Sequence, residues 1–314
     1  MKTFATVSLV IALAIAALAA PAAAGFANLK TTDPYAPVDY FGVEFEPAEY
    51  SRIVTLAPHL TEMVYFLGAF ERVVGVTNYD TFPPEVENCE RIGGFIDPDI
   101  ERIVALQPDL VLAYRGNPLP VIHKLKELDV PVFVLDNPDT LDELYTQMMM
   151  LAGLLMVSEE QEARIRRFKN ELDSAFELGA KLPRHPRVMM LACSMQPPFY
   201  AAGHGTFIDD LIRLAGGDNA FGSEGFSVVT PEEFIVADPE FLLIPELPEE
   251  GFREKILEAL RAQPFLAKTT AMEKEQVLFI DQDIISRPGP RITEALEILQ
   301  NALVSATTES GNDE

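Results

Sequence analysis

The 314-residue chain predicts an α/β protein of two lobes, each built on a central parallel sheet, joined by one long helix. Three observations carry that reading. Short β-rich runs alternate with helical runs along most of the sequence, the pattern of strand–helix–strand units. The order of elements repeats itself, most clearly where ERIVALQPDLVL (Glu101–Leu112) echoes EEFIVADPEFLL (Glu232–Leu243), with Pro108 and Pro239 both placed between helix and strand. Between the halves lies Leu141–Leu182, helical in pattern and free of strand signals.

Met1–Ala24 precedes both lobes. One early lysine, an apolar run from Phe4 to Leu18 and Ala22-Ala23-Ala24 before Gly25 read as a cleaved secretory signal peptide. The run is short for a membrane span. No cysteine follows it, so no lipobox is expected, and the mature protein is expected to be soluble outside the cytoplasmic membrane. Residues 25–157 are assigned to the first lobe. After a lead from Asp33 to Tyr50, Arg52–Ala57 is a buried parallel strand ended by Pro58. A helix follows, with Thr61 as its cap and Gly68 as its close. Val73–Val76 is a second strand, Asp99–Leu106 a helix, Leu110–Ala113 a third strand, Val121–Leu128 a helix and Val130–Leu135 a fourth strand.

Leu141–Leu155 sets Leu141, Leu144, Tyr145, Met148, Leu151, Ala152 and Leu155 on one helical face. Ser158-Glu159-Glu160-Gln161 then reads as a capping box that restarts the helix. Ile165, Phe168, Leu172, Ala175, Phe176 and Gly179 form its apolar stripe, and Pro183 is its expected stop. About 25 helical residues would reach roughly 37 Å, so residues 158–183 are assigned as the linker. Residues 184–304 form the second lobe, in which Arg187–Ala192 matches Arg52–Ala57 and Ile208–Gly216 matches the helix closing at Gly68. Each lobe has a last strand ending in aspartate, Val132–Asp136 and Val277–Asp281. A final helix spans Arg291–Leu303, and residues 305–314 are expected to be a disordered polar tail.

The net charge of −25, with scattered basic residues, argues against nucleic acid as a partner. Cys89 and Cys193 fall in different halves and are read as separate buried thiols. His59, His123, His185 and His204 make no pair at metal-ligand spacing. There is no phosphate loop and no Gly-x-Ser-x-Gly nucleophile motif. The chain is therefore read as a non-enzyme with no resident metal or cofactor.

Tyr79, Phe82, Phe95, Tyr114, Phe199, Tyr200 and Phe226 lie at or beyond strand ends, where loops of an open α/β sheet line a ligand crevice. Any one of them could instead cover its own lobe. Asp281, Asp283 and Arg287 follow the last strand, stiffened by Pro288-Gly289-Pro290; they suit either hydrogen bonds to a ligand or an internal ion pair.

LAPHLTE (Leu56–Glu62), ERIVALQPDLVLAYRGN (Glu101–Asn117), QPPFYAAGHGTFIDDLIRLAGG (Gln196–Gly217) and DIISRPGPRI (Asp283–Ile292) resemble the vitamin B12 (cobalamin)-binding proteins of ATP-driven uptake systems. The resemblance runs from about Arg52 to Leu303 and implies a class III periplasmic binding protein: two Rossmann-like lobes on a single rigid helix, moving little on binding. It implies corrinoid contacts at Tyr79, Phe95, Tyr114, Phe199, Phe226, Asp283 and Arg287, with His59 or His204 as candidate axial ligands to the metal. The family often has tryptophan where this chain has Phe95, Tyr114 and Phe226, so the stacking area is smaller here. One acid per lobe would dock on a permease dimer with its ATPase subunits; Glu62 and, by its matching distance from a closing glycine, Asp210 are the candidates. The carrier would act as a monomer. A haem or ferric-siderophore carrier of the same fold is the alternative, and a tetrapyrrole metal chelatase a remoter one.

Overall fold

Residues 33–192 and 197–309 are described by a computed structural model. The expected signal peptide, Cys193 and the last five residues of the expected tail lie outside them. Strands β1 (Ile53–Thr55), β2 (Val73–Val76), β3 (Glu90–Arg91), β4 (Leu110–Tyr114) and β5 (Val132–Leu135) form the first sheet in the order β3-β2-β1-β4-β5, every pairing parallel. Both faces are covered. Ile53, Leu110, Leu112 and Phe133 pack into one hydrophobic layer while Val54, Val111, Ala113, Val132 and Val134 pack into the other, which is why these strands are apolar without alternation.

Helix α1 (Pro58–Phe66) starts at Pro58, whose missing N–H costs nothing in a first turn. Thr61 is not its cap: it lies inside the helix, and its hydroxyl is 2.6 Å from that of Thr55. The helix closes as expected at Gly68, where φ is +69° and the N–H groups of Gly68 and Ala69 reach the carbonyls of Tyr65 and Val64. Helices α2 (Ile100–Ala105), α3 (Leu119–Glu127) and α4 (Leu141–Leu154) complete the first lobe.

The linker helix α5 spans Glu159–Gly179, 21 residues, or roughly 32 Å at about 1.5 Å per residue. It ends before Pro183. Ser158 makes no capping box, because its hydroxyl donates to the Gln161 side-chain oxygen instead of accepting a backbone N–H. Phe176 leaves the expected stripe and lies exposed, with the Arg213 guanidinium 5.4 Å from its ring centre.

The second sheet runs β11-β10-β6-β7-β9, with β8 also on β6. Its strands are β6 (Arg187–Ala192), β7 (Phe199–Ala202), β8 (Asp218–Asn219), β9 (Phe226–Val229), β10 (Phe241–Glu246) and β11 (Val277–Asp281). The β6, β8, β10 and β11 pairings are parallel, whereas β7 runs antiparallel to both β6 and β9. Alternation alone gives no sign of that added ribbon. Helices α6 (Phe207–Leu214), α7 (Pro231–Ala237), α8 (Phe252–Arg261), α9 (Thr270–Glu273), α10 (Gln282–Ile285) and α11 (Ile292–Glu309) follow. The last of these corrects the expected tail: residues 305–309 are helical, and the buried Thr307 hydroxyl donates to Leu303 O at 2.9 Å.

Helix α6 closes on Gly216 as α1 closes on Gly68, with φ at +93° and the same two backbone bonds, from Gly216 to Arg213 and from Gly217 to Ile212. These matched closures bracket α5. A Cβ on Gly68 would lie 2.6 Å from the Gln161 side chain at the start of α5, and one on Gly179 would lie 2.7 Å from the Gly216 backbone at its end. One continuous hydrophobic layer runs from β1 and α1 through α4 and α5 to α6 and α11, so the lobes share a core as well as a covalent link. Among the described residues no helix is long and apolar enough to cross a membrane.

Candidate functional site: the cleft between the lobes

The loops after β2, β3, β4 and β5 face the start of α6, the β9 edge and the loop after β11 across a cleft that is partly open to solvent. This is the crevice beyond the carboxyl ends of parallel strands, where the peptide geometry leaves room for a ligand. Tyr79, Phe95 and Tyr114 line it from the first lobe, Phe226 from the second. Tyr79 and Phe95 meet edge to face, with centroids 5.5 Å apart. His59, at the start of α1, stands edge-on to Tyr114 at 4.9 Å. Burial, helped by the nearby Arg287 charge, pulls the His59 imidazole down to about 3, so the ring is neutral at ordinary pH. Burial alone pushes the Tyr114 hydroxyl up to about 12, which keeps it protonated.

Asp283 and Arg287 also line the cleft, and of the two readings left open for them the structure shows the internal ion pair, at 2.6 Å, while Arg287 reaches across to the first lobe. Its Nη1 donates to Glu62 Oε1 at 3.1 Å and to Thr81 Oγ1 at 3.3 Å, and its Nη2 donates to Tyr79 O at 3.0 Å. Thr81 in turn donates to Asp283. No other charged side chain is among the described cleft lining.

Several expected residues sit elsewhere. Phe199 does not enter the cleft: as the first residue of β7 it is buried in the outer layer of the second lobe, against Phe234 and Phe265. Phe82 lies under the Arg291 guanidinium, 4.4 Å from its ring centre. His204 is outside the lining and exposed, its Nδ1 3.1 Å from Asp209, which removes it as an axial ligand in this cleft.

Glu62 and Asp210 cannot dock on a partner as they stand, being only 2% and 7% exposed. Glu62 is held by Arg287 and Arg291 of the second lobe. Asp210 Oδ2 accepts the Leu141 N–H at 2.8 Å, and its other oxygen pairs with Arg213. The two acids do match in position, but each reaches into the opposite lobe. Cys89 is a free thiol, partly exposed.

The lining also holds Asn137, Gln282, Met190, Phe207, Ile208 and Ile285, which aromatic placement does not single out. For Asn137 and Gln282 a signal exists, since each follows an aspartate ending the last strand of its lobe. Among the described residues no group of three or more His, Cys, Asp or Glu side chains could hold a metal ion.

The sequence profile of the periplasmic binding protein family matches residues 53–284. A vitamin B12-binding protein from Pectobacterium atrosepticum is 29% identical over 251 residues, covering 77% of this chain and 84% of its own. Among solved structures, the apo form of a periplasmic heme-binding protein from Roseiflexus sp. RS-1 matches with a TM-score of 0.71 at 28% identity, covering 82% of this chain and 99% of its own. The periplasmic vitamin B12-binding protein of Vibrio cholerae matches with a TM-score of 0.69 at 26% identity, covering 82% and 98%. The two α/β lobes on one long helix are the class III architecture, and the chain belongs to the periplasmic binding protein family, whose members capture substrates rather than convert them.

Proposed function

We propose that this protein captures cobalamin or a related corrinoid in the inter-lobe cleft and delivers it, in the periplasm, to the permease dimer of an ABC transporter. The observation that carries the reading is the electrostatics of an aromatic-walled cleft. Among the described residues its only charged lining side chains, Asp283 and Arg287, neutralise each other, and both terminal nitrogens of Arg287 are already engaged by Glu62, Thr81, Tyr79 and Asp283. A corrin ring is a flat macrocycle rimmed by neutral amides, and such a cleft can bury it without stranding a charge. Haem brings two carboxylates that would find no free cation among the described lining residues. The haem reading rests instead on the neutral His59 imidazole, a capable axial ligand to iron, although the same nitrogen suits cobalt.

Calorimetric titration with cyanocobalamin, cobinamide, haemin and ferric siderophores tests the choice. Tight corrinoid binding is expected. Silence with corrinoids beside a strong haemin or siderophore signal would overturn it.

Docking needs an exposed acid on each lobe, and the internal repeat supplies a pair. Glu101 and Glu232 occupy matched positions in the first turns of α2 and α7, and both are exposed. The neighbouring Glu233 is occupied by the capping box with Thr230. Val104 and Ile235, also matched, are exposed beside them, and Val236 is 86% exposed. Paired acids with apolar neighbours suit a basic, two-fold permease surface.

A further inference from the structure

Two carboxamides face the cleft from opposite lobes with a buried end unused. Asn137 is only 6% exposed, lines the cleft, and its Oδ1 is buried with no hydrogen bond from the described residues. Gln282 lines the cleft from the second lobe, and its Oε1 is in the same condition. Their positions match. Asn137 follows Asp136 at the end of β5, Gln282 follows Asp281 at the end of β11, and both strands are sheet edges. Each is also braced. The Asn137 N–H donates to Asp136, which is paired with Arg115 at 2.6 Å, and the carbonyl of Asp136 accepts from Gln147. Asp281 accepts the Asp283 N–H at 2.7 Å.

A buried acceptor left unpaired costs free energy, so a ligand that supplies its donor gains what another ligand must forfeit. An amide N–H supplies it; an ionised carboxylate has no proton to offer and would set oxygen against oxygen. The preference belongs to the orientation in which the oxygen is the unpaired end, since a turned amide would present N–H donors that amide and carboxylate oxygens both accept. We propose that Asn137 and Gln282 are specificity-determining residues that read primary carboxamides on the ligand from both walls of the cleft. The choice of ligand rests on the corrinoid reading above.

The test is calorimetry of the full chain with cyanocobalamin and with its monocarboxylic acids, in which single side-chain amides are hydrolysed. The wild type is expected to bind cyanocobalamin about tenfold more tightly than at least one of the acids. Asn137→Leu with Gln282→Met should bring that ratio to within about twofold, by loss of the amide-specific pairing. Should that pair fail to fold, Asn137→Asp keeps the shape and is expected to widen the ratio, because two carboxylates would then face each other. An unchanged ratio overturns the proposal and leaves the corrinoid reading standing. If the wild type ignores corrinoids and binds haemin, the corrinoid reading fails by itself. The carboxamide proposal is then judged on haemin against its diamide, where a tighter diamide supports it and tighter haemin overturns it. Absence of binding to all of these macrocycles overturns it as well.

Discussion

Arg291 of the second lobe grips Glu62 of the first at two points, with Nε 2.9 Å from Oε2 and Nη2 2.8 Å from Oε1. Arg287 adds a third contact to the same carboxylate, whose side chain is almost wholly buried. Withdrawing ions from water is costly, so the damage from deleting one partner exceeds the net worth of the intact pair. Glu62→Ala should therefore lower stability by about 3 kcal/mol, read as a drop in the urea midpoint. Glu62→Gln should fall between, because an amide oxygen still accepts. A loss below about 0.5 kcal/mol would rank this contact with ordinary surface pairs.

Asp210 mirrors Glu62. It accepts from Leu141, the first residue of α4, just as Glu62 pairs with Arg291, the residue before α11. Each acid thus reaches the start of a long helix that comes after the other lobe's last strand, directly for α4 and after the short α10 for α11. Together with the shared hydrophobic layer, these latches leave little freedom for hinge closure. Small-angle scattering is expected to give the same radius of gyration with and without ligand. A Glu62→Ala, Asp210→Ala double variant should open measurably when ligand-free, and a large closure by the wild type would refute the latch.

Chain periodicity was enough to read both lobes, the linker and the duplicated helices, because parallel strands buried on both faces are apolar throughout and helix closures need glycine. The β7–β9 ribbon was not legible, since Phe199–Ala202 is too short and too close to Pro197-Pro198 to stand out from a loop. In the cleft, Tyr79, Phe95, Asp283 and Arg287 lie beyond strand ends and Tyr114 at one, as the sequence places them, whereas Phe226 lines the cleft from the first position of β9. Phe199 fails the same rule because β7 turns it to the outer layer. The positional match of Glu62 with Asp210 was correct while their exposure was not, because spacing along a helix shows which face a residue is on and not what packs against that face.

The Gly179–Gly216 contact gives a prediction whose sign is decided by magnitude. An alanine normally improves a helix by up to about 1 kcal/mol over glycine. At Gly179 the added carbon would lie 2.7 Å from the Gly216 nitrogen and 2.8 Å from Leu214 O, both backbone atoms that cannot swing aside. Overpacking of that kind costs about 1–3 kcal/mol, so Gly179→Ala should destabilise. Gly153, inside α4, has only Tyr35 O at 4.0 Å, and Gly153→Ala should stabilise by about 0.5–1 kcal/mol. Thermal melts of the two variants should move in opposite directions.

The docking proposed for Glu101 and Glu232 should be separable from binding, because both lie on helices outside the described cleft lining. Glu101→Arg with Glu232→Arg should leave calorimetric affinity for the ligand unchanged while abolishing uptake in cells that depend on this carrier. Each single change should impair uptake partially, since one lobe keeps its contact. Full transport by the double variant would remove these acids from the interface.

Acid sensitivity should trace to His59. In the unfolded chain its imidazole titrates near about 6.5, whereas burial in the folded cleft holds it down to about 3. Between those values the unfolded state binds a proton that the folded state refuses, so stability is full above about pH 6.5 and falls as pH drops towards about 3. The contribution at stake is at most about 4 kcal/mol, taking roughly 1.4 kcal/mol per pH unit and discounting for relaxation of the folded state as it acidifies. His59→Phe keeps the ring against Tyr114 and removes the titration. Its urea midpoint should therefore decline less steeply than that of the wild type between pH 6.5 and 4. Parallel curves would mean that carboxylates elsewhere govern acid unfolding and that the His59 pocket is wetter than its burial implies.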